Sequence, residues 1–251
     1  MLDTSRSEKA APERSARAQA EIPLRRLGTL TQLTPWALDI VARGAALTLP
    51  GRRGTDLGAF RGGRRFLSSG WACLMDQQGS SGQILSILVP GDPVDQSLIA
   101  HERCCVVALT PVELVDFGSL EPVLLSGDAA DAPIAAAFEA AAYAAQGQLI
   151  DHMGYLFCPV ASEALLALFR HLHRRLGQVG LSDEEGFPMP LTQTQIGRAL
   201  GLTVSHVNRT LSQMREDDVL VLSAERVRFG KAWRSTRVRE AAAESGGSGF
   251  E

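Results

Sequence analysis

Residues 191–222 read LTQTQIGRALGLTVSHVNRTLSQMREDDVLVL and contain two amphipathic helical patterns in close succession. Thr192 and Thr203 precede the two patterns, and threonine is a preferred residue at the N-cap of a helix. Gly201 separates the patterns, and glycine readily adopts the left-handed backbone that ends a helix. The apolar faces consist of Ile196, Ala199 and Leu200 in the first pattern and of Val207, Leu211 and Met214 in the second. The segment therefore predicts two short helices that meet at a tight corner.

The second helix leaves a distinctive set of side chains on its outer face. They are Val204, Ser205, His206, Asn208, Arg209, Ser212 and Arg215. Short side chains at the start of a helix allow it to enter the major groove of DNA, and an arginine can donate two hydrogen bonds to guanine. The following VLVLSAERVRF predicts two strands around a polar turn, in which Arg226 and Arg228 can reach phosphates. This combination is typical of a winged helix-turn-helix that binds DNA.

The charge distribution is consistent with DNA binding, although the formal net charge of the chain is -3. Between Leu191 and Arg239 basic residues outnumber acidic residues, and the rest of the chain is net acidic. Nucleic-acid binding depends on the local field rather than on the total charge. The composition therefore excludes a uniformly basic coat but allows one basic surface.

The N-terminal half has a different pattern. From Leu47 to Phe117, short apolar runs alternate with Gly, Pro and Asp, which predicts an antiparallel sandwich or barrel. The stretch MDQQGSSGQIL predicts a hairpin, and VPGDP predicts a sharp turn. Before these strands, Thr34 is expected to cap a helix with Pro35 at its first position.

A long helix is predicted after the strands, about 24 residues in length. Its apolar stripe recurs at steps of three or four residues and comprises Ile134, Phe138, Ala141, Ala145, Leu149, His152 and Leu156. A helix of this length with small alanines along its stripe favours a partner helix, so we expect a dimer seam. The alternative is that the stripe packs on its own domain.

These stretches resemble the Crp/Fnr superfamily of transcription regulators. The resemblance is strongest over residues 191–222 and is weaker over about 200 residues. It implies an α+β protein with an N-terminal antiparallel β-roll similar to cyclic-nucleotide-binding domains, a long dimerisation helix and a C-terminal winged helix-turn-helix. The expected organisation is a disordered arm (1–20), a β-roll (21–128), a dimerisation helix (129–157), a DNA-binding domain (158–240) and a flexible tail (241–251).

The resemblance also implies a homodimer on a two-fold symmetric DNA site, with recognition helices in successive major grooves about 34 Å apart. Base reading is assigned by position to Val204, Ser205 and Arg209, with the exposed Asn208 beside them. The expected phosphate contacts are Thr192, Gln193, Thr203, His206, Arg215, Arg226 and Arg228. Val204 and Ser205 replace an arginine and a glutamate of the best-known members, so we expect a different target sequence.

Three features argue against a known effector in the β-roll. Asp95 and Gln96 stand where cyclic-nucleotide-binding relatives have a Gly-Glu pair, and Glu102 falls at or beside the place of their phosphate-binding arginine. A carboxylate there would repel a phosphate, although a register slip could bring Arg103 into that place. The first cysteine is Cys73, so the N-terminal ligands of iron–sulfur relatives are missing. We therefore expect no cofactor, although ligation of a haem stays an alternative. The β-roll either senses an unidentified signal or is a structural platform.

Two further groups of residues have alternative interpretations. Cys158 at a helix start is either a redox-sensitive thiol or, as we favour, a small buried filler. A set of arginines belongs either to solvated hairpin turns, which we favour, or to a surface that contacts RNA polymerase or flanking DNA. This set is Arg52, Arg53, Arg61, Arg64 and Arg65.

An enzymatic function is not expected, because the chain has no GxSxG, GxxxxGK[ST] or HExxH motif. No apolar run approaches the roughly 20 residues that cross a bilayer, and no secretory signal precedes the first helix, so we expect a cytoplasmic protein without membrane contact. The sequence therefore predicts a homodimeric transcription regulator that binds double-stranded promoter DNA. The alternative is a protein-interaction adaptor that uses the β-roll and the winged helix.

Overall fold

The computed structural model describes residues 18–47, 50–59, 64–77, 82–94, 103–223 and 225–233. The chain divides into two compact units, residues 1–154 and 155–251. The first unit contains helices α1 (Glu21–Leu30), α2 (Pro35–Arg43) and α3 (Glu121–Leu124), and strands β1 (Ala46–Leu47), β2 (Arg65–Ser69), β3 (Ala72–Asp76), β4 (Ile84–Leu88), β5 (Pro93–Val94), β6 (Cys104–Ala108) and β7 (Glu113–Asp116). Helix α4 (Ala132–Leu156) follows. The second unit contains α5 (Ala161–Gln178), β8 (Gly186–Pro188), α6 (Gln193–Leu200), α7 (Val204–Glu216), β9 (Leu220–Ser223) and β10 (Arg226–Phe229).

The strands of the first unit form two antiparallel sheets, of order β1-β7-β2-β5 and β4-β3-β6. One apolar cluster includes side chains of both sheets, among them Leu67, Leu74, Val106 and Leu114. The predicted hairpin is confirmed, since β3 and β4 pair antiparallel. The turn after β4 is sharp because Gly91 has a φ of 94° and the Asp92 carboxylate accepts a hydrogen bond from the Val89 amide at 2.7 Å. The predicted α+β class with N-terminal antiparallel sheets is confirmed.

A second apolar cluster joins the helices of the first unit to the sheet. Three aromatic rings form its centre: Phe66, Phe117 and Phe138 meet edge to face, with ring centroids 5.6 to 5.7 Å apart. Helix α2 begins as predicted, with the Thr34 hydroxyl accepting from the Ala37 amide and with Pro35 in the first turn. Through this cluster the apolar faces of α1, α2 and α4 pack against the sheet that contains Phe66.

Helix α4 is 25 residues long, and its predicted apolar stripe lies in the protomer's own core. Ile134, Phe138, Ala141, Ala145 and His152 are buried, while Leu149 and Leu156 are half-buried. His152 Nε2 lies 2.9 Å from the carbonyl oxygen of Ile84. The five buried side chains fill the protomer core, which favours the alternative that the stripe packs on its own domain, and the position of a dimer seam stays a prediction.

The predicted N-terminal arm, residues 1–20, overlaps the described residues at positions 18–20. Residues 1–17 and the predicted tail, 241–251, lie outside the described residues. Residues 18–20 are ordered, since Ala20 is fully buried and Ser68 Oγ donates a hydrogen bond of 2.6 Å to the carbonyl of Gln19. A small alanine can pack closely against the sheet, so low hydrophobicity does not exclude order here.

The second unit is built around the predicted helix pair and a small sheet. Strands β9 and β10 form the predicted wing hairpin, and β8 pairs with β10 on its other side to give the order β8-β10-β9. An aromatic cluster lies beside this sheet, with Phe229 stacked on Trp233 at 4.2 Å and the His173 ring 4.8 Å from Phe229. The hairpin is thus fixed to α5, which carries His173.

Candidate nucleic-acid interface

The corner between α6 and α7 is defined by hydrogen bonds close in sequence. Thr192 forms a capping box with Gln195 at the start of α6. Gly201 ends α6 with a φ of 66°, and the Leu202 amide donates to the carbonyl of Gly197 at 2.9 Å. Thr203 then caps α7, its hydroxyl accepting from the His206 amide at 3.2 Å. The predicted tight corner is confirmed.

Helix α7 buries one face and exposes the other. Val207, Thr210, Leu211 and Met214 are buried. The predicted base-reading residues are all exposed; they are Val204, Ser205, Asn208 and Arg209. Within the part of the chain that the structure describes, the side chains of Asn208 and Arg209 make no hydrogen bond or ion pair. Their donors are therefore available to an external partner.

The predicted phosphate-contacting residues fall into two groups. His206, Arg215 and Arg228 are exposed, and none of the three side chains has an ion-pair partner among the described residues. Thr192 and Thr203 are exposed but use their hydroxyls as helix caps, while Gln193 is half-buried. The Thr203 hydroxyl still has a proton to donate, whereas the Thr192 hydroxyl already donates its proton to Gln195 Oε1 at 3.1 Å. Both groups thus offer donors at the surface that carries α7.

Arg226 differs from the other wing arginine. Its Nη2 donates to both carboxylate oxygens of Asp183, at 3.3 and 3.0 Å. Desolvation acts to raise the pKa of Asp183, but the amides of Gly186 and Glu185 and the Arg226 charge together lower it. The expected phosphate contact of Arg226 therefore competes with an existing ion pair, which the sequence pattern does not reveal.

Helix α4 carries an exposed apolar surface that the sequence analysis did not identify. Tyr143 and Ile150 are each 71% exposed and Met153 is 54% exposed. Tyr143 and Ile150 are seven residues apart, so they lie on one face, opposite the buried stripe. Gly147 and Gly154 share this face, and a Cβ built on either has no atom within 4 Å. We call Tyr143, Gly147, Ile150, Met153 and Gly154 the outer face of α4; the signal was a second apolar repeat with a seven-residue period.

A small cavity of about 20 Å³ lies where the sheets of the first unit meet α4, lined by Leu74, Leu88, Val106 and Leu149 among others. This volume is about that of one water molecule. Of the residues compared with a cyclic-nucleotide site, Asp95, Gln96 and Glu102 lie outside the described residues. Arg103 makes a bidentate pair with Asp76, with Nη2 to Oδ2 at 2.8 Å, which raises the pKa of Arg103 and occupies its Nε and Nη2 donors.

The cysteines and the arginine set have identifiable surroundings. The pKa of the Cys104 thiol is raised by burial and by the nearby Asp76 carboxylate, which favours the less reactive thiol form. Cys158 Sγ lies 3.8 Å from Glu163 Oε2. Arg64 and Arg65 pair with Glu121 and Asp116. Two of the five arginines considered for a polymerase contact are thus paired within the chain, and Arg61 lies outside the described residues. None of the described helices is both long and apolar enough to cross a membrane.

Comparison with known proteins assigns the second unit. Residues 163–229 match the Crp-like helix-turn-helix domain. A comparison with curated protein sequences finds no significant match.

Three solved structures are similar to the chain. FixK2 from Bradyrhizobium japonicum is 21% identical with a TM-score of 0.58, covering 75% of this chain and 95% of its own. The c-di-GMP responsive global regulator CLP from Xanthomonas campestris is 15% identical, with a TM-score of 0.53 and coverage of 78% and 99%. A CRP/FNR-family transcriptional regulator from Thermus thermophilus is 12% identical, with a TM-score of 0.52 and coverage of 76% and 97%. The chain therefore has the fold of the Crp/Fnr transcription regulators and carries a Crp-like helix-turn-helix domain over residues 163–229.

Proposed function

We propose that this protein is a homodimeric, sequence-specific regulator of transcription that binds double-stranded promoter DNA. The observation that carries the proposal is the outer face of α7, where Asn208 and Arg209 are exposed and their side chains make no hydrogen bond or ion pair within the described chain. Leaving polar groups without partners on a rigid, capped helix contributes nothing to folding. It does present hydrogen-bond donors of the kind that read base edges in the major groove.

The surroundings of α7 favour DNA as the partner. Arg215 lies later on the same helix, and Arg228 lies on the wing strand β10. Cations on either side of a base-reading segment contact phosphates and set the register of the protein on the duplex. The positive end of the α7 dipole lies at Val204, and this end favours an anionic partner.

The outer face of α4 supports the homodimer. Tyr143, Ile150 and Met153 give it a large apolar exposure for a single helix. The glycines at positions 147 and 154 leave open notches beside these side chains, into which the side chains of a second helix can insert. A second copy of the chain has the same complementary pattern, as a two-fold symmetric contact requires. The proposed seam therefore consists of this face and not of the buried stripe.

An adaptor that binds another protein through the winged helix is the second candidate. A groove of about 560 Å³ between α5 and α7 favours it, and its lining includes the apolar side chains of Leu166 and Met214. Arg209 and His206 border the same groove. An adaptor would use this groove, whereas a DNA regulator would use the exposed polar face of α7.

A DNA-binding measurement separates the two candidates. Fluorescence anisotropy with promoter fragments from the source genome should detect binding by the full-length protein. Arg209→Ala should weaken binding by roughly 10-fold or more, because a bidentate arginine–guanine contact contributes about 1–3 kcal/mol. Arg25→Ala is a matched control, since Arg25 is an exposed arginine of the first unit that pairs with Glu21. No binding to any fragment, or an equal loss in both variants, would contradict the proposal.

A further inference from the structure

We propose that each half-site of the target DNA contains an adenine read by Asn208 and a thymine methyl group contacted by Val204, within about four base pairs that also include a guanine for Arg209. This inference rests on the proposed function and specifies its substrate. It concerns Val204 and Asn208 in particular, because their chemistry sets which bases fit this protein.

The first step is the accessibility of the side chains. Val204 is 44% exposed although it is apolar and begins the helix. Asn208 is exposed, and its amide has no hydrogen-bond partner in the described part of the chain. The Thr203 cap satisfies the His206 amide, so the first turn of α7 needs no help from Asn208 or Ser205. The side chains of Val204 and Asn208 are therefore free to contact a ligand without a cost to the stability of the helix.

The second step is their arrangement on the helix. Residues four apart lie on the same face, so Val204 and Asn208 form one row and Ser205 and Arg209 form a neighbouring row. Four residues advance about 6 Å along the helix axis. Base pairs are stacked about 3.4 Å apart, so each row spans fewer than two base steps. Two adjacent rows in one groove can thus reach about four consecutive base pairs.

The third step is the match between side chain and base. An asparagine amide donates to N7 and accepts from N6 of adenine, a pairing that no other base offers in the major groove. An exposed valine can only make apolar contacts, and the C5 methyl of thymine is the apolar group of the major groove. Arginine prefers O6 and N7 of guanine. Ser205 can donate or accept, so it selects no base by itself.

Selection from a randomised duplex library tests the assignment with the full-length protein. The wild type should enrich a motif with a G, an A and a T within about four base pairs of each half. Asn208→Ala should lose the preference for adenine at one position and keep the others. Asn208→Asp leaves only acceptors, so the preference at that position should move from adenine towards cytosine, whose N4 is a donor.

Base analogues test each contact on the enriched sequence. Replacing the assigned thymine by deoxyuridine removes only the methyl group, and should weaken wild-type binding roughly 3- to 10-fold while leaving Val204→Ala unaffected. Replacing the assigned adenine by 7-deazaadenine should weaken the wild type by roughly 5- to 50-fold and leave Asn208→Ala unaffected. Circular dichroism of each variant confirms that the helix is intact.

The outcomes distinguish this inference from the proposed function. If the wild type enriches no sequence, the proposed function fails. If it enriches a motif whose adenine and thymine preferences are the same in Asn208→Ala and Val204→Ala, DNA recognition stands and this inference is overturned. The inference is supported if both analogues weaken binding of the wild type, deoxyuridine has no effect on Val204→Ala, and 7-deazaadenine has no effect on Asn208→Ala.

Discussion

Gln148 on α4 donates a hydrogen bond from Nε2 to Oδ1 of Asp92 at 3.2 Å, and both side chains are buried, with exposures of 7% and 2%. Asp92 lies in the sharp turn after β4, so this bond joins that turn to α4. Arg26 of α1 also approaches Asp92, with 3.9 Å between Nη2 and Oδ1. One buried carboxylate therefore connects three elements that are distant in sequence.

Replacing Asp92 by alanine should lower the free energy of unfolding by about 3 kcal/mol, because the buried Val89 amide and the Gln148 amide lose their acceptor. Asp92→Asn keeps an oxygen for the Val89 amide and should cost less. Urea denaturation of both variants measures the difference. Equal losses would indicate that the charge, and not the hydrogen bonds, stabilises the turn.

Gly197 is predicted to be intolerant of any side chain. A Cβ at this position would lie 2.6 Å from the carbonyl oxygen of Leu202, which belongs to the backbone of the helix corner. Gly197→Ala should therefore lower the free energy of unfolding by about 1–3 kcal/mol. Gly28→Ala is the matched control: its Cβ would meet no atom within 4 Å, and it should stabilise α1 by about 0.5–1 kcal/mol. Thermal unfolding of both variants should shift in opposite directions.

The features that could be predicted from the sequence are those that depend on residues close together. The caps at Thr34, Thr192 and Thr203 each bind an amide three residues ahead, so the pattern of residue types is sufficient. The strands of the wing and the hairpin after β3 likewise follow from alternation and turn residues. These features predicted the position of α7 in the sequence correctly.

The features that were missed depend on tertiary packing. Helix α4 has apolar residues on two opposite faces, and periodicity alone does not specify which face, that of Phe138 or that of Ile150, packs on the sheet. The Arg226–Asp183 pair joins residues 43 apart in sequence, so no local pattern indicates it. The assignment of base and phosphate contacts stays a prediction, which DNA-binding measurements on the variants test.

Ile150→Glu should convert the proposed dimer into a monomer. The substitution places a charge at the centre of the apolar outer face of α4, where burial against a second copy would remove it from water. The dissociation constant of the dimer should rise by at least roughly 100-fold. Leu125→Glu is the matched control, because Leu125 is a similarly exposed aliphatic residue, at 72%, that lies outside α4. Analytical ultracentrifugation gives both constants, and an unchanged dimer in Ile150→Glu would place the seam elsewhere.

The stability of the second unit should depend on the charge of Asp183. Because its pKa is lowered in the folded protein, the carboxylate stabilises the fold above its ordinary pKa of 3.8, and this contribution is lost as the pH falls below that value. Asp183→Asn keeps an oxygen for the amides of Glu185 and Gly186 but removes the charge that pairs with Arg226. The difference in urea midpoint between wild type and variant should therefore shrink between about pH 5 and about pH 3. A constant difference over this range would show that the charge of Asp183 does not contribute to the stability of the fold.

The two wing arginines should differ in their effect on the salt dependence of DNA binding. Each phosphate contact that is lost reduces the slope of log K against log salt concentration by about 0.9. Arg228 is exposed and has no ion-pair partner among the described residues, so Arg228→Ala should show this full reduction. Arg226 is already neutralised by Asp183 at 3.0 Å, so Arg226→Ala should reduce the slope by clearly less. Anisotropy titrations between about 50 and 200 mM salt measure both slopes, and equal reductions would mean that Arg226 exchanges Asp183 for a phosphate when DNA binds.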